Sequence, residues 1–318
     1  MKTQSLNLRD ATRLARGVGQ SYRLIKALKP DVIFTRGGFV SVPVAIGGYL
    51  NHVPYITHDS DSVPSLGNRI IAPRAAVHAV ALPAETYPYP IEKTVSVGVP
   101  VSEKFQPVTN KLQEEYRKEL GLDEYDQTIF LTGGGNGSRE LNKALIANAR
   151  YLLTTYRNLA IVHVCGRSLA NETVAAYDAL NLGNARKRVI VHGFITDLYK
   201  QSGAADVVIS RAGATTLAEF AIQGKACVII PAPQLTGGHQ SKNARVLAKE
   251  KAIVQLSEDQ IEQPERLGRT IGQLLDDDAY QLALRRNLHK YAHPQAAEEL
   301  AELILKTAGG ERRARKKK

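Results

Sequence analysis

Short apolar runs recur along the second half of the chain, separated by longer segments in which apolar residues return every three or four positions. The apolar runs cover residues 127–132, 159–164, 188–191, 206–209 and 226–230, with a weaker one at 252–255. Strands that are apolar throughout and alternate with helices are typical of a parallel sheet buried on both faces. The pattern predicts a doubly wound α/β domain.

The first half shows the same alternation with shorter elements. Residues 10–28 have the spacing of an amphipathic helix, and 42–50 and 111–120 are further helices. The predicted strands cover 32–34, 54–57, 77–82 and 94–97. A closing helix rich in Ala and Leu is predicted over 295–307, and Gly309 and Gly310 are expected to end it. We expect domains at 1–103 and 104–290, followed by the closing helix and a basic tail at 291–318.

The positive charge lies at the two ends of the chain. Residues 1–30 contain seven Lys or Arg and one Asp, residues 309–318 contain six and one Glu, and together they account for the whole net charge of +11. Basic ends favour an anionic membrane surface, a solvated tail or nucleic acid. No aromatic residues interleave the basic runs to stack on bases, which argues against nucleic acid. We expect a protein on the inner face of the cell membrane.

Other features exclude several classes of protein. No apolar run approaches the roughly 20 residues that span a bilayer, and the first residues lack the apolar core of a signal peptide. Cys165 and Cys227 lie in apolar runs, which indicates buried thiols in a reduced, cytoplasmic protein rather than a disulfide or a metal site.

The turns that follow the strands are where chemistry is expected, since ligands of open parallel sheets bind beyond the carboxyl ends of the strands. The stretch GGGNGS after the run at 127–132 places Gly134, Gly135 and Asn136 where backbone can approach a phosphate or nucleotide. It lacks the Gly-Lys-Ser/Thr of a Walker loop and the distant acidic residue of a dinucleotide site. A tight entry into a helix is the alternative.

The stretch SRAGATTLAEF, residues 210–220, follows the apolar run at 206–209. Arg211 suits phosphate oxygens, and Gly213 opens a helix whose first amides attract anions. Thr216 and Glu219 also match a capping box, in which both side chains would only satisfy the amides of their own helix. The residues leave both interpretations open.

Polar residues mark a third turn and two turns of the first half. His239, Gln240 and Asn243 follow Gly237-Gly238; their side chains suit the hydroxyl and acetamide groups of a sugar, or cap a helix. His58 and Asp59 are candidates for proton transfer, with an ordinary surface loop as the alternative. Arg36 precedes Gly37 and Gly38 in another turn with accessible backbone. Together the turns predict a site for a nucleotide diphosphate that carries a sugar.

These motifs resemble those of a bacterial family, the peptidoglycan N-acetylglucosaminyltransferases of glycosyltransferase family 28. The resemblance rests on KPDVIFTRGGFVSVP, the pair His58-Asp59, GGGNGSRELN, HGFITD, SRAGATTLAE and GGHQSKNA. It implies the GT-B fold, in which two Rossmann-like domains face each other, and inverting transfer of N-acetylglucosamine from UDP-N-acetylglucosamine to a polyprenyl-pyrophosphoryl-N-acetylmuramyl-peptide. No cofactor is implied, and any divalent cation would not be protein-bound.

The resemblance also implies roles for individual residues. Phe194 and Ile195 should lie along uracil, Thr216 near phosphate, Glu219 at the ribose and Gln240 at the sugar. The remaining implied donor-binding residues are Gly134, Gly135, Asn136, Asn142, Arg211, Gly213 and His239. The implied acceptor residues are Gly37, Gly38 and Asp61, with His58 and Asp59 as catalytic candidates.

The chain departs from the family pattern in several places. It begins after the first strands and the glycine-rich loop ending in His that family members carry, so we expect an incomplete first domain. Asp61 stands in place of an Asn, Gly135 in place of a Ser, and Val99-Pro100-Val101-Ser102 in place of Asn-Pro-Val-Arg. The alternatives are a donor-binding subunit or degenerate copy that needs a partner chain, and an epimerase-like enzyme on the same fold.

Overall fold

The chain folds into two compact units, one formed by Met1–Pro100 with Gln295–Lys318 and the other by Val101–Pro294. The computed structural model describes the backbone of residues 8–233 and 238–315 and the side chains of 12–233 and 238–309. The basic residues at 1–7 and 316–318, and Gly237, lie outside the described residues. Every element below is an α-helix or a strand of one of these units.

The first unit is built on a parallel sheet with the strand order β1-β2-β3-β4. Its strands are β1 Ile33–Thr35, β2 Tyr55–Asp59, β3 Val77–Val80 and β4 Thr94–Ser96. Its helices are α1 Leu8–Leu28, α2 Ser41–Leu50, α3 Leu66–Ile71 and α13 Ala296–Arg315. All the strands predicted for this half are confirmed, with ends that differ by at most two residues.

Both faces of this sheet are covered by helices. Leu14 of α1 and Val42 of α2 pack with Tyr55 on one face. On the other face, Leu300 of the closing helix α13 packs with Ile56, which is fully buried. Since helices on both faces bury a parallel sheet, the continuous apolar strands in the sequence are explained.

The closing helix does not stop where the sequence predicted. It continues through Gly309 and Gly310 to Arg315. Glycine costs about 1 kcal/mol relative to alanine inside a helix, but it ends one reliably only when the chain turns into the left-handed region. Neither glycine has a positive φ here, so the prediction of a stop was wrong.

The second unit contains a larger parallel sheet with the order β10-β9-β8-β5-β6-β7. Its strands are β5 Gln127–Thr132, β6 Leu159–Val164, β7 Val189–His192, β8 Val207–Ser210, β9 Ala226–Ile229 and β10 Val254–Gln255. Its helices are α4 Asn110–Leu120, α5 Arg139–Thr155, α6 Ala170–Ala179, α7 Leu198–Ala204, α8 Ala214–Gln223, α9 His239–Lys249, α10 Glu258–Glu262, α11 Arg266–Asp276 and α12 Asp278–His289.

The prediction of a doubly wound parallel sheet is confirmed for this unit. The chain runs outward from β5 through β6 to β7, returns to β8 on the other side of β5, and continues to β9 and β10. Separate apolar cores cover the two faces. Cys165 and Cys227 are both buried and free, as predicted. The reversal between β5 and β8 is the position at which open α/β sheets bind ligands.

One consequence of the packing of α13 is testable with two leucines of the same helix. Leu300→Ala should destabilise the first unit by about 2–4 kcal/mol, because it removes buried methyl groups from the contact with Ile56. Leu305→Ala is the matched control, since Leu305 is 71% exposed, and should change stability by less than about 0.5 kcal/mol. Urea unfolding followed by circular dichroism measures both; equal effects would show that α13 is not docked through Leu300.

Candidate functional site

The candidate site lies at the carboxyl ends of β5 and β8, which are hydrogen-bonded neighbours. The glycine-rich loop, residues 133–138, follows β5 and leads into α5. Residues 211–213 follow β8 and lead into α8. Because the two strands are adjacent and parallel, these two predicted turns lie at the same edge of the sheet.

The glycine-rich loop is packed too closely for larger residues at some positions. A Cβ at Gly133 would lie 2.4 Å from the amide nitrogen of Ser138, and one at Gly137 would lie 2.0 Å from the carbonyl oxygen of Cys165. Gly134 has a φ of +84°, while a Cβ at Gly135 would meet no atom within 4 Å. Gly133, Gly134 and Gly137 therefore fix the loop, whereas Gly135 leaves its backbone accessible.

A cleft of about 530 Å³ opens beside this loop. Its walls include four residues that were predicted for donor binding, Gly135, Asn136, Arg211 and Gln240. Ser138, Glu140 and Ser168 also line it, although the sequence did not single them out. The structure thus brings residues of all three predicted turns of the second half to one cavity.

Arg211 is buried, and acidic groups surround its guanidinium. Its Nη2 lies 2.6 Å from Glu258 and 3.1 Å from Glu140, and it donates to Ser138 Oγ at 2.7 Å. Hydrogen bonds from its own amide and from Ser138, together with Arg211, hold the pKa of Glu140 below its usual range. The positive charge of Arg211 is therefore matched within the protein, and the side chain ties the β8 turn to the start of α5.

The turn at Gly213 settles the choice between a capping box and an open helix end. Helix α8 begins at Ala214 with Gly213 as its N-cap, and no side chain caps it. Thr216 therefore lies inside the helix, two residues beyond its start, and the capping interpretation is wrong. By contrast, Ser138 accepts a hydrogen bond from the amide of Leu141 and caps α5. The positive end of α8 is available to a ligand.

Glu219 lies on the second turn of α8, half-buried and without a described hydrogen bond or ion pair within 8–233 and 238–309. Burial raises the pKa of its carboxyl group to about 7. A carboxylate beside an open helix end and without a partner is suited to accept hydrogen bonds from ligand hydroxyl groups.

The third turn carries its polar residues on the first turn of α9. Gln240 Oε1 accepts a hydrogen bond from the amide of Ala232 at 2.9 Å, and Asn243 donates to the carbonyl of Ala212 at 3.2 Å. His239 Nδ1 is buried and has no hydrogen-bond partner among the described residues. The N-cap is Gly238, and no side chain caps α9, so capping does not explain these side chains.

Phe194 and Ile195 follow β7 at the same edge of the sheet. Phe194 is 45% exposed, and the guanidinium carbon of Arg167 lies 4.0 Å from the centre of its ring. Ile195 packs against the apolar core. The pair presents an apolar surface with a cation beside it.

Asn142 differs from the other predicted donor residues because it is buried beneath the loop. Its amide nitrogen donates to the carbonyl of Cys165 at 3.0 Å, and its oxygen accepts from His163 at 2.9 Å. His163 in turn contacts the hydroxyl of Tyr177 at 2.9 Å. Neither His163 nor Tyr177 was predicted to be functional, since the only signal is a polar residue, His163, that interrupts an apolar strand.

In the first unit, the side chains of His58 and Asp59 are not hydrogen-bonded to each other. They are neighbours in β2, so their side chains point to opposite faces of the sheet. His58 Nε2 donates to the carbonyl of Gly98 at 2.9 Å, and burial lowers its pKa. Asp59 accepts from Asn68 at 2.8 Å and from the Tyr89 hydroxyl at 2.7 Å. Both side chains have structural partners.

The predicted acceptor residues Gly37, Gly38 and Asp61 lie in the turns after β1 and β2. Gly37 has a φ of +79°, and its carbonyl accepts a hydrogen bond from Ser65 Oγ at 2.7 Å. A Cβ at Gly38 would meet no atom within 4 Å. The hydroxyl of Tyr87 donates to the carbonyl of Asp61 at 3.0 Å. These turns share one edge of the first sheet, since β1 and β2 are neighbours.

A larger cavity, of about 880 Å³, lies at the other end of the second sheet. Its walls include Asp126, Asn158 and Asp206, each of which precedes a strand. Ligands of doubly wound sheets bind at the opposite, carboxyl ends of the strands, so the smaller cleft is the better candidate despite its size. Among the residues whose positions are described, no cluster of three His, Cys, Asp or Glu could hold a metal ion.

The comparison with known protein families gives two matches. The glycosyltransferase family 28 C-terminal domain matches residues 128–300, and the glycosyltransferase family 28 N-terminal domain matches residues 1–80. The first match spans β5 to β10 and therefore includes both turns of the candidate cleft.

Two named proteins and one crystal structure also match most of the chain. The UDP-N-acetylglucosamine--N-acetylmuramyl-(pentapeptide) pyrophosphoryl-undecaprenol N-acetylglucosamine transferase of Geobacillus thermodenitrificans is 32% identical over 95% of this chain and 80% of that protein. The protein of the same name from Natranaerobius thermophilus is 28% identical over 91% of this chain and 78% of its own. The crystal structure of Acinetobacter baumannii MurG is similar with a TM-score of 0.73 and 26% identity, covering 93% of this chain and 80% of that one.

The raised pKa of Glu219 makes a prediction about stability. A carboxyl group with a folded pKa of about 7 stabilises the fold fully below its unfolded value of 4.5, and this contribution is lost as the pH rises through 7. Glu219→Gln stays neutral, so it should become more stable relative to the parent as the pH rises from 5 to 8. Urea unfolding at both pH values measures this. A stability difference between the two proteins that does not change with pH would contradict the raised pKa of Glu219.

Proposed function

We propose that this chain, which belongs to glycosyltransferase family 28, transfers N-acetylglucosamine from UDP-N-acetylglucosamine to a polyprenyl-pyrophosphoryl-N-acetylmuramyl-peptide in peptidoglycan precursor synthesis. The names of the relatives support this activity. The observation on which the proposal rests is the cleft at the β5–β8 reversal, together with the uncapped end of α8 and the carboxyl group of Glu219 in that helix, which has no partner among the described residues. The chain is accordingly a glycosyltransferase.

The diphosphate of the donor would bind at the two turns of this cleft. The amide of Gly134 already donates to Thr132 Oγ1 at 3.2 Å, so Gly134 shapes the loop. We assign the phosphate contacts to the backbone of Gly135 and Asn136 and to the first amides of α8, near Gly213 and Thr216. A helix N-terminus carries a partial positive charge, which complements a diphosphate without a resident metal ion.

The rest of the donor follows from the chemistry of the neighbouring side chains. Glu219 accepts hydrogen bonds from the ribose, and Phe194 and Ile195 provide an apolar surface for uracil. Gln240 and His239 face the sugar. Arg211 acts by holding the start of α5 against the β8 turn, because its charge is matched by Glu140 and Glu258.

The reaction proposed is a direct inverting displacement. A hydroxyl oxygen of the acceptor forms a bond to the anomeric carbon while the bond from that carbon to the β-phosphate oxygen breaks, and the acceptor loses its proton to a base. UDP leaves with the negative charge that develops on the diphosphate. Preorganised amides and a helix end stabilise such charge in place, which lowers the barrier to departure.

The turns of the first unit form the proposed acceptor side. Gly38 offers accessible backbone and Asp61 a carboxylate, whereas Gly37 is buried and shapes the turn by accepting a hydrogen bond from Ser65. His58 and Asp59 order these turns, since they hold the carbonyl of Gly98, the side chain of Asn68 and the hydroxyl of Tyr89. A rigid pair of turns suits an acceptor that must present one hydroxyl group in a fixed direction.

The lipid-linked acceptor implies a place at the inner membrane surface, and α1 offers a surface for it. The apolar residues near the end of α1 differ in exposure: Ile25 is buried, whereas Leu24 and Leu28 are 58% and 68% exposed. Exposed basic residues accompany them, including Arg23 and Lys26. Apolar and basic side chains on one helix are typical of binding to an anionic bilayer surface. No helix in the described ranges is long and apolar enough to cross a membrane.

Donor binding is tested at Glu219 with UDP. Glu219→Gln should weaken UDP binding by about 1–3 kcal/mol at pH 8, because hydroxyl groups bond more strongly to a carboxylate than to an amide. The difference should shrink at pH 6, where the carboxyl group with its pKa of about 7 is mostly protonated. Titration calorimetry at the two pH values measures it.

The control ligand in the same titrations is ADP, which should bind neither protein. Equal affinity for ADP and UDP would contradict the uridine assignment, and parent-like UDP binding by Glu219→Gln at pH 8 would remove the role of Glu219. Release of UDP from UDP-N-acetylglucosamine that depends on a polyprenyl-pyrophosphoryl acceptor tests the reaction itself.

The membrane proposal is tested with vesicles. Replacing both Leu24 and Leu28 by Gln should lower binding to phosphatidylglycerol vesicles about thirtyfold, because each leucine loses on the order of 1 kcal/mol of apolar burial. Leu282→Gln, at a residue of the second unit that is 46% exposed, is the matched control and should bind like the parent. Sedimentation in low and high salt measures this; parent-like binding by the double variant would exclude α1 as the contact.

A further inference from the structure

A chain of polar groups crosses the interior of the second unit beneath the glycine-rich loop. The hydroxyl of Tyr177 lies 2.9 Å from His163 Nδ1, and His163 Nε2 lies 2.9 Å from Asn142 Oδ1. The amide nitrogen of Asn142 lies 3.0 Å from the carbonyl oxygen of Cys165. The three side chains are at most 4% exposed, so water does not compete for these hydrogen bonds.

The carbonyl of Cys165, at the end of this chain of polar groups, determines the direction of every hydrogen bond in it. The carbonyl of Cys165 can only accept, so Asn142 must present its amide nitrogen there and its oxygen to His163. That oxygen can only accept, so His163 must carry its proton on Nε2. The unprotonated Nδ1 then accepts from the hydroxyl of Tyr177. Burial lowers the pKa of His163 to about 4, which keeps the ring neutral near pH 7.

The Cys165 end of this chain of polar groups is in close contact with the glycine-rich loop of the candidate cleft. A Cβ at Gly137 would lie 2.0 Å from the carbonyl oxygen of Cys165, and one at Gly166 would lie 2.5 Å from the carbonyl oxygen of Asn136. The turn at Cys165 and Gly166 is thus in close contact with the loop. A displacement of the Cys165 carbonyl must move Asn136 and Gly137, because interiors packed this closely transmit small shifts.

We propose that Tyr177 and His163 are positioning residues for donor binding, which orient Asn142 and through it the Cys165 carbonyl against which the glycine-rich loop is seated. This inference rests on the proposed function, in which that loop contacts the diphosphate of the nucleotide. Tyr177 donates to Nδ1 of His163 and holds the ring in place, and the Nε2–H of His163 in turn holds the oxygen of the Asn142 amide. Neither side chain touches the ligand.

The test uses Tyr177→Phe, which removes only the hydroxyl that holds His163. The Kd for UDP and the KM for UDP-N-acetylglucosamine should rise about three- to tenfold, the scale of one hydrogen bond. The kcat at saturating donor should stay within about twofold, since the variant changes the seating of the loop and no group at the reacting atoms. Nitrogen NMR of the imidazole should show the Nε2–H tautomer of His163 in both proteins, with a shifted Nδ1 signal in the variant because that nitrogen loses its donor.

The matched control is Tyr156→Phe. Tyr156 also donates its hydroxyl to a partner within the second unit, Asp276 at 2.9 Å, but away from the cleft. It should leave the UDP affinity unchanged even if it lowers stability. If Tyr177→Phe does not fold, a second pair of variants tests the same role. His163→Gln keeps a donor and an acceptor, so it should retain more UDP affinity than the apolar His163→Leu.

The outcomes separate the two proposals. If the parent does not bind UDP, the donor site itself is wrong. If the parent binds UDP and Tyr177→Phe binds equally well, or if His163 in the parent is not the Nε2–H tautomer, the positioning role is wrong. A loss of UDP affinity in Tyr156→Phe as large as that in Tyr177→Phe would reduce the effect to general destabilisation and also overturn the inference.

Discussion

The contact between Gly137 and the turn at Cys165 and Gly166 is the constraint on which the candidate site depends. It leaves no room for a Cβ on either glycine, so the backbone after β5 is seated against the backbone after β6. This seating brings the glycine-rich loop to the point where the strand order reverses, next to the open end of α8. Within the loop, crowding is confined to Gly133 and Gly137, while the backbone at Gly135 stays accessible.

The charges of the site are divided between the protein and its ligand. Arg211 looks like a phosphate-binding residue in the sequence, yet Glu140 and Glu258 match its charge. Glu219 looks like a helix cap, yet its carboxyl group has no described partner and burial raises its pKa to about 7. The proposed donor site therefore relies on backbone amides for the positive potential at the diphosphate and on a carboxylate to accept hydrogen bonds from hydroxyl groups.

The strands and the doubly wound fold could be predicted from the sequence, because apolar runs of β-branched residues indicate burial on both faces. The residues alone left the roles of Arg211 and Glu219 open, since these roles depend on where a helix begins and on an acidic residue distant in the chain. The capping pattern at Thr216 was present, but the helix begins at Ala214, after Gly213. His163 could not be recognised for a similar reason. In the sequence it only interrupts an apolar strand, whereas its proposed role depends on Asn142 and Tyr177 from two helices.

The central claim is that the backbone at the β5–β8 reversal holds the nucleotide diphosphate, and amide NMR shifts on addition of UDP test it most directly. The claim predicts that the largest shifts fall on residues 134–136 and 214–216. Residues such as Asp126, Asn158 and Asp206, around the larger cavity at the other end of the sheet, should show none. Shifts concentrated around that larger cavity, with none in the glycine-rich loop, would contradict it.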